Sequence, residues 1–323
     1  MERVKKMNKI KPRVVSLFSG AGGLDLGLKK AGFKLVWAND FAKDAVETYK
    51  MNIGNHCCCC DISNVDVNDI PDCDVIIGGF PCQGFSMANQ KRTVLDERNA
   101  LYLEYIRILK NKKPKIFLAE NVKGILSLGN GMVIKAIIND FSKAGYEVKY
   151  KLLNAADYGV PQIRQRVIIV GVRKDLNREF EYPEPTHSCD GNDGKLKWVS
   201  VENALRGLPD PDSANADKVP NNQYSKYKIT VKNFTAHRIT DPKKPSPTIL
   251  ARGNGGGGVC AIPHPNGKRR MSVRESATIQ TFPINFKFVG SMGSAYRQVG
   301  NAVPVLLSKL LGEKILDCLN MKS

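Results

Sequence analysis

Between residues 13 and 171, short apolar runs alternate with amphipathic stretches, and this alternation limits the fold more than any other feature of the chain. Residues 14–18, 34–39, 75–79, 116–121, 146–153 and 167–172 read as strands, and 24–30, 42–51, 99–110 and 132–143 carry helical spacing. Parallel strands need a crossover long enough to hold a helix, so strand and helix in alternation predict an α/β domain with a mostly parallel sheet.

The first strand runs into Phe18-Ser19-Gly20-Ala21-Gly22-Gly23-Leu24-Asp25, a glycine-rich turn that opens a helix and lets the backbone approach a ligand closely. Asp40 ends the second strand eighteen positions after Gly22, a spacing that suits a carboxylate on ribose hydroxyls. A turn made only for packing would explain the glycines as well. Asp25 occupies the place where a dinucleotide fingerprint has its third glycine, which argues against NAD and a bound pyrophosphate.

The run Gly78-Gly79-Phe80-Pro81-Cys82-Gln83-Gly84-Phe85-Ser86 puts a cysteine just past the carboxyl end of a strand, where open α/β sheets bind ligands. A single cysteine is more often a buried structural thiol, but proline before it and glycine after it describe a rigid loop rather than core. Glu120-Asn121-Val122 ends another strand, so its carboxyl is expected over the same sheet edge as Cys82. A nucleophile and an acid at neighbouring strand ends make a plausible catalytic pair, whereas a lone glutamate there would read as a cap or surface charge.

Texture changes after this unit. Ten of the seventeen prolines fall between Pro183 and Pro265, together with Gly253 and Gly255 to Gly258, so regular helices are not expected there. From Lys218 to Arg274 twelve Lys or Arg face one acid, Asp241, and this window carries +11 of the net +18. Charge so one-sided points to a phosphate backbone, with a solvated loop face as the alternative. We expect three segments: 1–185 as catalytic and cofactor-binding domain, 186–271 as a smaller irregular domain anchored by Trp198, Val199, Leu205, Leu208, Ile249 and Leu250, and 272–323 returning to the first. Helical intervals reappear at 273–281 and 303–319.

Nine cysteines, an odd number, suit a reducing compartment better than a disulfide framework. In His56-Cys57-Cys58-Cys59-Cys60, adjacent thiols of an extended chain point to alternate faces and cannot converge on one ion, so we expect a buried strand and no metal. The basic start, Met1 to Lys11, leads into a charged approach to a strand. We therefore expect no signal peptide, no membrane span and a cytoplasmic location.

The ordered blocks Phe18-Ser19-Gly20-Ala21-Gly22, Asp40, Asp61-Ile62, Gly79-Phe80-Pro81-Cys82-Gln83, Glu120-Asn121-Val122, Gln162-Ile163-Arg164-Gln165-Arg166, Val273-Arg274-Glu275 and Gln298-Val299-Gly300-Asn301-Ala302-Val303-Pro304 resemble a DNA (cytosine-5) methyltransferase of the compact bacterial restriction-modification type. The resemblance spans 13–171 and 271–319 and implies a Rossmann-like S-adenosylmethionine-dependent sheet, with the basic segment as target-recognition domain. Asp40 stands where the family more often has Glu. The implied reaction methylates carbon 5 of a cytosine flipped out of duplex DNA, through a covalent adduct of Cys82 at carbon 6.

By the same resemblance, Glu120 holds ring nitrogen 3 and the exocyclic amino group, and must be kept partly neutral to donate a proton. Arg164 and Arg166 contact the base carbonyl and orient Glu120. Phe18 stacks on adenine, Asp40 binds ribose, Asp61 and Ile62 flank the adenine, and Asn301 closes the pocket. Gly20, Gly22, Leu24, Phe41, Pro81, Leu101 and Ala302 complete the cofactor set. Gln83, Ser86 and Thr248 face DNA, and Arg238 and Arg252 are candidates for reading bases or for holding phosphates. A monomer is expected, with a cognate restriction endonuclease as a further partner. The rival readings are methylation of tRNA, a DNA-binding module without catalysis, and a nicotinamide dehydrogenase.

Overall fold

A computed structural model describes residues 11–80, 100–229, 239–251 and 261–321. Seven strands form one sheet in the order β3-β2-β1-β4-β5-β7-β6: β1 (Arg13–Leu17), β2 (Lys34–Asp40), β3 (Cys57–Cys59), β4 (Val75–Gly78), β5 (Ile116–Val122), β6 (Tyr146–Asn154) and β7 (Gln165–Arg173). The first five run parallel, and β7 is inserted antiparallel between β5 and β6. The strand order reverses between β1 and β4, which opens a crevice at their carboxyl ends where such sheets take ligands. The amino end of β7 lies beside the carboxyl end of β5, with Arg166 opposite Val122, so β7 adds its first residues to that same edge.

Both faces of the sheet are covered, which is why its central strands read as continuous apolar runs. On one face α1 (Gly23–Ala31), α2 (Lys43–Asn52) and α8 (Val305–Asn320) bury Leu24, Leu28, Val46, Leu311 and Ile315 against Val14, Val75 and Leu118. On the other, α3 (Ala100–Lys112) and α4 (Met132–Lys143) pack Tyr105, Ile108, Ile137 and Phe141 against Val15, Ile76 and Phe117. Each fully buried aliphatic or aromatic side chain contributes about 1.5–3 kcal/mol. Helices α1 and α8 approach so closely that a Cβ on Gly27 would lie 2.2 Å from the Ser308 Cβ.

At the cysteine run the structure differs from expectation, and elsewhere it adds elements. The cysteine run does form strand β3, but at the sheet edge, where only Cys57 is buried and Cys58 and Cys59 are exposed. The proline-rich region holds short strands, as expected, β8 (His187–Ser188) and β9 (Leu196–Lys197), together with one five-residue helix among its described residues, α5 (Val201–Leu205). Its buried apolar residues Val201, Ile249, Ala261, Ile262 and Met271 fall in the same cluster as buried residues of α1 and α8. Between α6 (Val273–Ile279) and α8 there is a further amphipathic helix, α7 (Met292–Asn301), which is not among the expected elements.

The basic window is also not a uniform charged face. Arg269, Arg270 and Arg274 are buried, and they hold the chain together. Arg269 donates two 2.8 Å hydrogen bonds to Glu275, whose carboxylate closes a capping box with Ser272 at the start of α6. Arg274 reaches the carbonyls of Pro220, Pro283 and Phe286. The Lys side chains at 218, 226, 228, 243, 244 and 268 remain exposed. No helix among the described residues is long and apolar enough to cross a membrane.

Candidate active site

At the strand-order reversal lies a cavity of about 580 Å³, within the range of small-molecule sites. Its cofactor-side wall is built by the turn after β1. Phe18 and Gly20 both take positive φ there, 55° and 54°, a conformation that costs Phe18 strain and Gly20 nothing. The turn is pinned to β2: Phe18 N–H donates to Asn39 Oδ1 at 3.3 Å, Ser19 N–H to the Asn39 carbonyl at 2.8 Å, and Gly20 N–H to Asp40 Oδ2 at 2.8 Å. Asp40 Oδ1 accepts from Ala42 N–H, so the carboxylate ties the turn to the start of α2 and keeps its remaining lone pairs for a ligand. Burial raises the Asp40 pKa against these backbone donors. Sequence reasoning does not single out Asn39, although a polar residue at the end of a buried strand is a usable signal.

Phe18, Gly20, Leu24, Asp40, Phe41, Asp61, Ile62, Leu101, Asn301 and Ala302 all line this cavity. Gly22 does not. It caps α1 at φ 84°, and a Cβ there would strike Ile53 at 2.2 Å and Tyr49 at 2.9 Å, so its role is close packing. Asp61 caps a short turn by accepting from Ser63, which holds its pKa below the usual carboxylate value. Phe41 is 78% exposed at the rim. Asp40 and Asp61 line the cavity together with the apolar Phe18, Ile62 and Leu101, and among the described residues the cations of the lining, Arg164 and Arg166, come from the β7 side. That donor set fits an adenosine bearing a positively charged sulfonium better than a pyrophosphate.

On the far side, Glu120 and Arg166 occupy one face of the β5–β7 ladder at a diagonal position, and Arg166 Nε lies 2.8 Å from Glu120 Oε1. Both side chains are largely buried, at 12% and 13% exposure, so the pair is little screened by solvent and its geometry is held by the surrounding packing. A Cβ on Gly79 would come to 3.0 Å from Glu120 Oε2, so glycine leaves room for the carboxylate. Asn121 Nδ2 donates to the Phe80 carbonyl at 3.0 Å, anchoring the chain two residues before Cys82. Arg164 also lines the cavity but makes no hydrogen bond to Glu120; its guanidinium turns to the carbonyls of Ile249 and Gly300. The Thr248 hydroxyl donates to the Ile163 carbonyl. Cys82, Pro81, Gln83, Ser86, Arg238 and Arg252 lie outside the described residues.

Residues 12–317 match the family profile described as C-5 cytosine-specific DNA methylase. The chain is 41% identical over 319 residues to the Type II methyltransferase M.NgoFVII of Neisseria gonorrhoeae, covering 91% of this chain and 83% of that one. It is 42% identical over 335 residues to the Type II methyltransferase M.FnuDI of Fusobacterium nucleatum, covering 96% of each. Among solved structures, a protein from an E. coli prophage assigned as a DNA modification methyltransferase superposes with a TM-score of 0.77 at 26% identity, over 96% of this chain and all of that one. The S. pombe Dnmt2 methyltransferase superposes at 0.70 with 19% identity and shares the fold, over 96% of this chain and all of that one.

Proposed function

This chain belongs to the C-5 cytosine-specific DNA methylase family, and from that premise we propose how its own residues divide the work. The enzyme methylates carbon 5 of cytosine in DNA, and S-adenosylmethionine, when bound, supplies the methyl group as an electrophile on sulfur. Phe18, Asp40, Asp61, Ile62, Leu101 and Asn301 hold it. The Glu120–Arg166 pair, buried in the same cavity, is the observation that carries the assignment of the base-binding end.

Carbon 5 of cytosine is too poor a nucleophile to react unaided. The Cys82 thiolate adds to carbon 6, and the electron pair pushed toward carbon 5 makes that carbon the nucleophile. Glu120 grips ring nitrogen 3 and the exocyclic amine and supplies the proton that neutralises charge at nitrogen 3. Arg166 fixes the Glu120 carboxyl and offers its remaining donors to the base carbonyl. After methyl transfer, water takes up the carbon 5 proton, its bonding electrons re-form the 5,6 double bond and expel the Cys82 sulfur as thiolate, and nitrogen 3 returns its proton to Glu120. The target base must leave the helix to reach this cavity, at a cost of a few kcal/mol that DNA contacts offset. Residues 186–271 form the target-recognition region, with Gln83, Ser86, Thr248, Arg238 and Arg252 toward DNA. The enzyme acts as a monomer in the bacterial cytoplasm, beside an endonuclease of the same specificity.

Labelled cofactor with duplex DNA or bulk tRNA tests the substrate: label should enter DNA. Duplex carrying 5-fluorocytosine should trap the parent covalently and leave C82A untrapped, because fluorine cannot leave as the proton does. A C82A variant that methylates DNA at the parent rate would refute the assignment.

A further inference from the structure

The mechanism above leaves one buried cation unexplained. Arg164 is 1% exposed, and its two terminal nitrogens reach two separate parts of the chain: Nη1 donates to the Ile249 carbonyl at 3.1 Å and Nη2 to the Gly300 carbonyl at 2.9 Å. Two fully buried glutamines complete the arrangement. Gln162 Oε1 accepts from Ile249 N–H at 2.9 Å, and Gln162 Nε2 donates to Gln280 Oε1 at 2.8 Å. Gln280 Nε2 in turn donates to the carbonyls of Val299 and Ala302.

Both main-chain polar atoms of Ile249 are therefore held by side chains from the approach to β7, of which Arg164 also grips the end of α7 directly and Gln162 reaches it through Gln280. Ile249, Leu250 and Ala251 line the catalytic cavity, as do Gly300, Asn301 and Ala302. The two walls touch directly, since a Cβ on Gly300 would lie 2.4 Å from the Leu250 carbonyl oxygen. A planar fork suits such a bridge, because its donors sit at fixed separation and span two carbonyls that an ammonium would serve only one at a time. The cation is costly there, and burial lowers its pKa to about 9. Neutral carbonyls return less than a carboxylate would, so stability alone does not account for an arginine at this position.

Resting on the methyltransferase reading, we infer that Arg164 is a positioning residue, not a base-contacting one: it clamps the recognition-side wall at Ile249–Ala251 to the cofactor-side wall at Gly300–Ala302 and thereby sets the width of the cavity between base and cofactor.

Arg164→Lys keeps the charge and removes the fork. It should lower kcat about tenfold to a hundredfold per folded molecule, as expected when reacting groups are misplaced by an ångström or less, with little change in KM for DNA. The pH profile should keep the parent's midpoints, because Glu120 and Arg166 are untouched. Gly300→Ala pushes the same contact apart from the other side with Arg164 intact, so it should give the same signature, and the double variant should be no worse than either alone. Hydrogen exchange should quicken in both 246–251 and 298–302 for either variant. A shifted pH midpoint in Arg164→Lys would show that Arg164 acts on Glu120 and would overturn the inference, as would parent-like turnover, additive losses, or unchanged exchange in the two segments. If the parent itself does not methylate DNA, the family mechanism fails while the exchange measurement still decides the clamp.

Discussion

Two buried charged groups show how differently a carboxyl can be used within one cavity. Glu120 has a guanidinium 2.8 Å away, and losing the rigid geometry of that partner should matter more than losing charge. We expect Arg166→Lys to lower kcat about tenfold to a hundredfold with affinity for S-adenosylhomocysteine unchanged, measured by steady-state kinetics and calorimetry. Asp25, in the first turn of α1, has no cation at hand. It accepts from the Tyr49 hydroxyl at 2.9 Å, and burial raises its pKa from 3.8 to about 6. Such a group favours the folded state below pH 3.8, and that contribution is lost as pH rises through about 6, a change of about 3 kcal/mol. Asp25→Asn keeps the acceptor without the charge. Relative to the parent it should gain stability in urea at pH 7 that is absent near pH 4; equal gains at both pH values would contradict the buried, reluctant carboxyl.

Elements meet here through small residues and caps. Glycine inside a helix ordinarily costs about 1 kcal/mol relative to alanine, so Gly27→Ala would be stabilising on propensity alone. The added Cβ, however, would fall 2.2 Å from the Ser308 Cβ and 2.7 Å from the Lys309 backbone nitrogen, and backbone cannot step aside as a flexible side chain can. Overpacking of this kind costs about 1–3 kcal/mol or more and should win, so the variant should melt several degrees below the parent. Both helices are visible in the sequence from their apolar spacing, but the closeness of their approach is not, because it depends on which faces the sheet brings together. Helix α7 carries local signals, its N-cap Ser291 among them, but the burial of Gly300 at its end against Leu250 and Arg164 depends on partners far away in the chain.

At the scale of the molecule, the described residues of the basic window separate into two groups. Exposed lysines such as Lys228 and Lys243 can meet a polyanion, Lys226 and Lys244 pair with Asp212 and Asp241, and Arg269, Arg270 and Arg274 serve the fold. Lys228→Gln with Lys243→Gln should weaken DNA binding across all sequences and reduce the slope of log affinity against log salt by up to about 2, with melting unchanged. Arg269→Gln leaves Glu275 short of its buried partner and should destabilise by about 3–5 kcal/mol, leaving the salt slope of the surviving folded protein as it was. If Arg269→Gln instead bound DNA poorly while melting like the parent, its internal role would be wrong.

The alternation of strands and helices from β1 to β7, the glycine turn, the carboxyl at the end of β5 and the family itself were all legible in the chain, because period, turn chemistry and short motifs are local properties written in consecutive residues. What only the folded molecule decided were relations between distant segments. Among them are the reversal of strand order that opens the cavity, the antiparallel entry of β7 that sets Arg166 on Glu120, and the turning of Arg164 toward Ile249 and Gly300. Also decided there was the division of one positive stretch into surface lysines and buried arginines. A side chain's partner is fixed by where the rest of the chain packs, and no spacing along a sequence reports a hydrogen bond made across 85 or 136 residues.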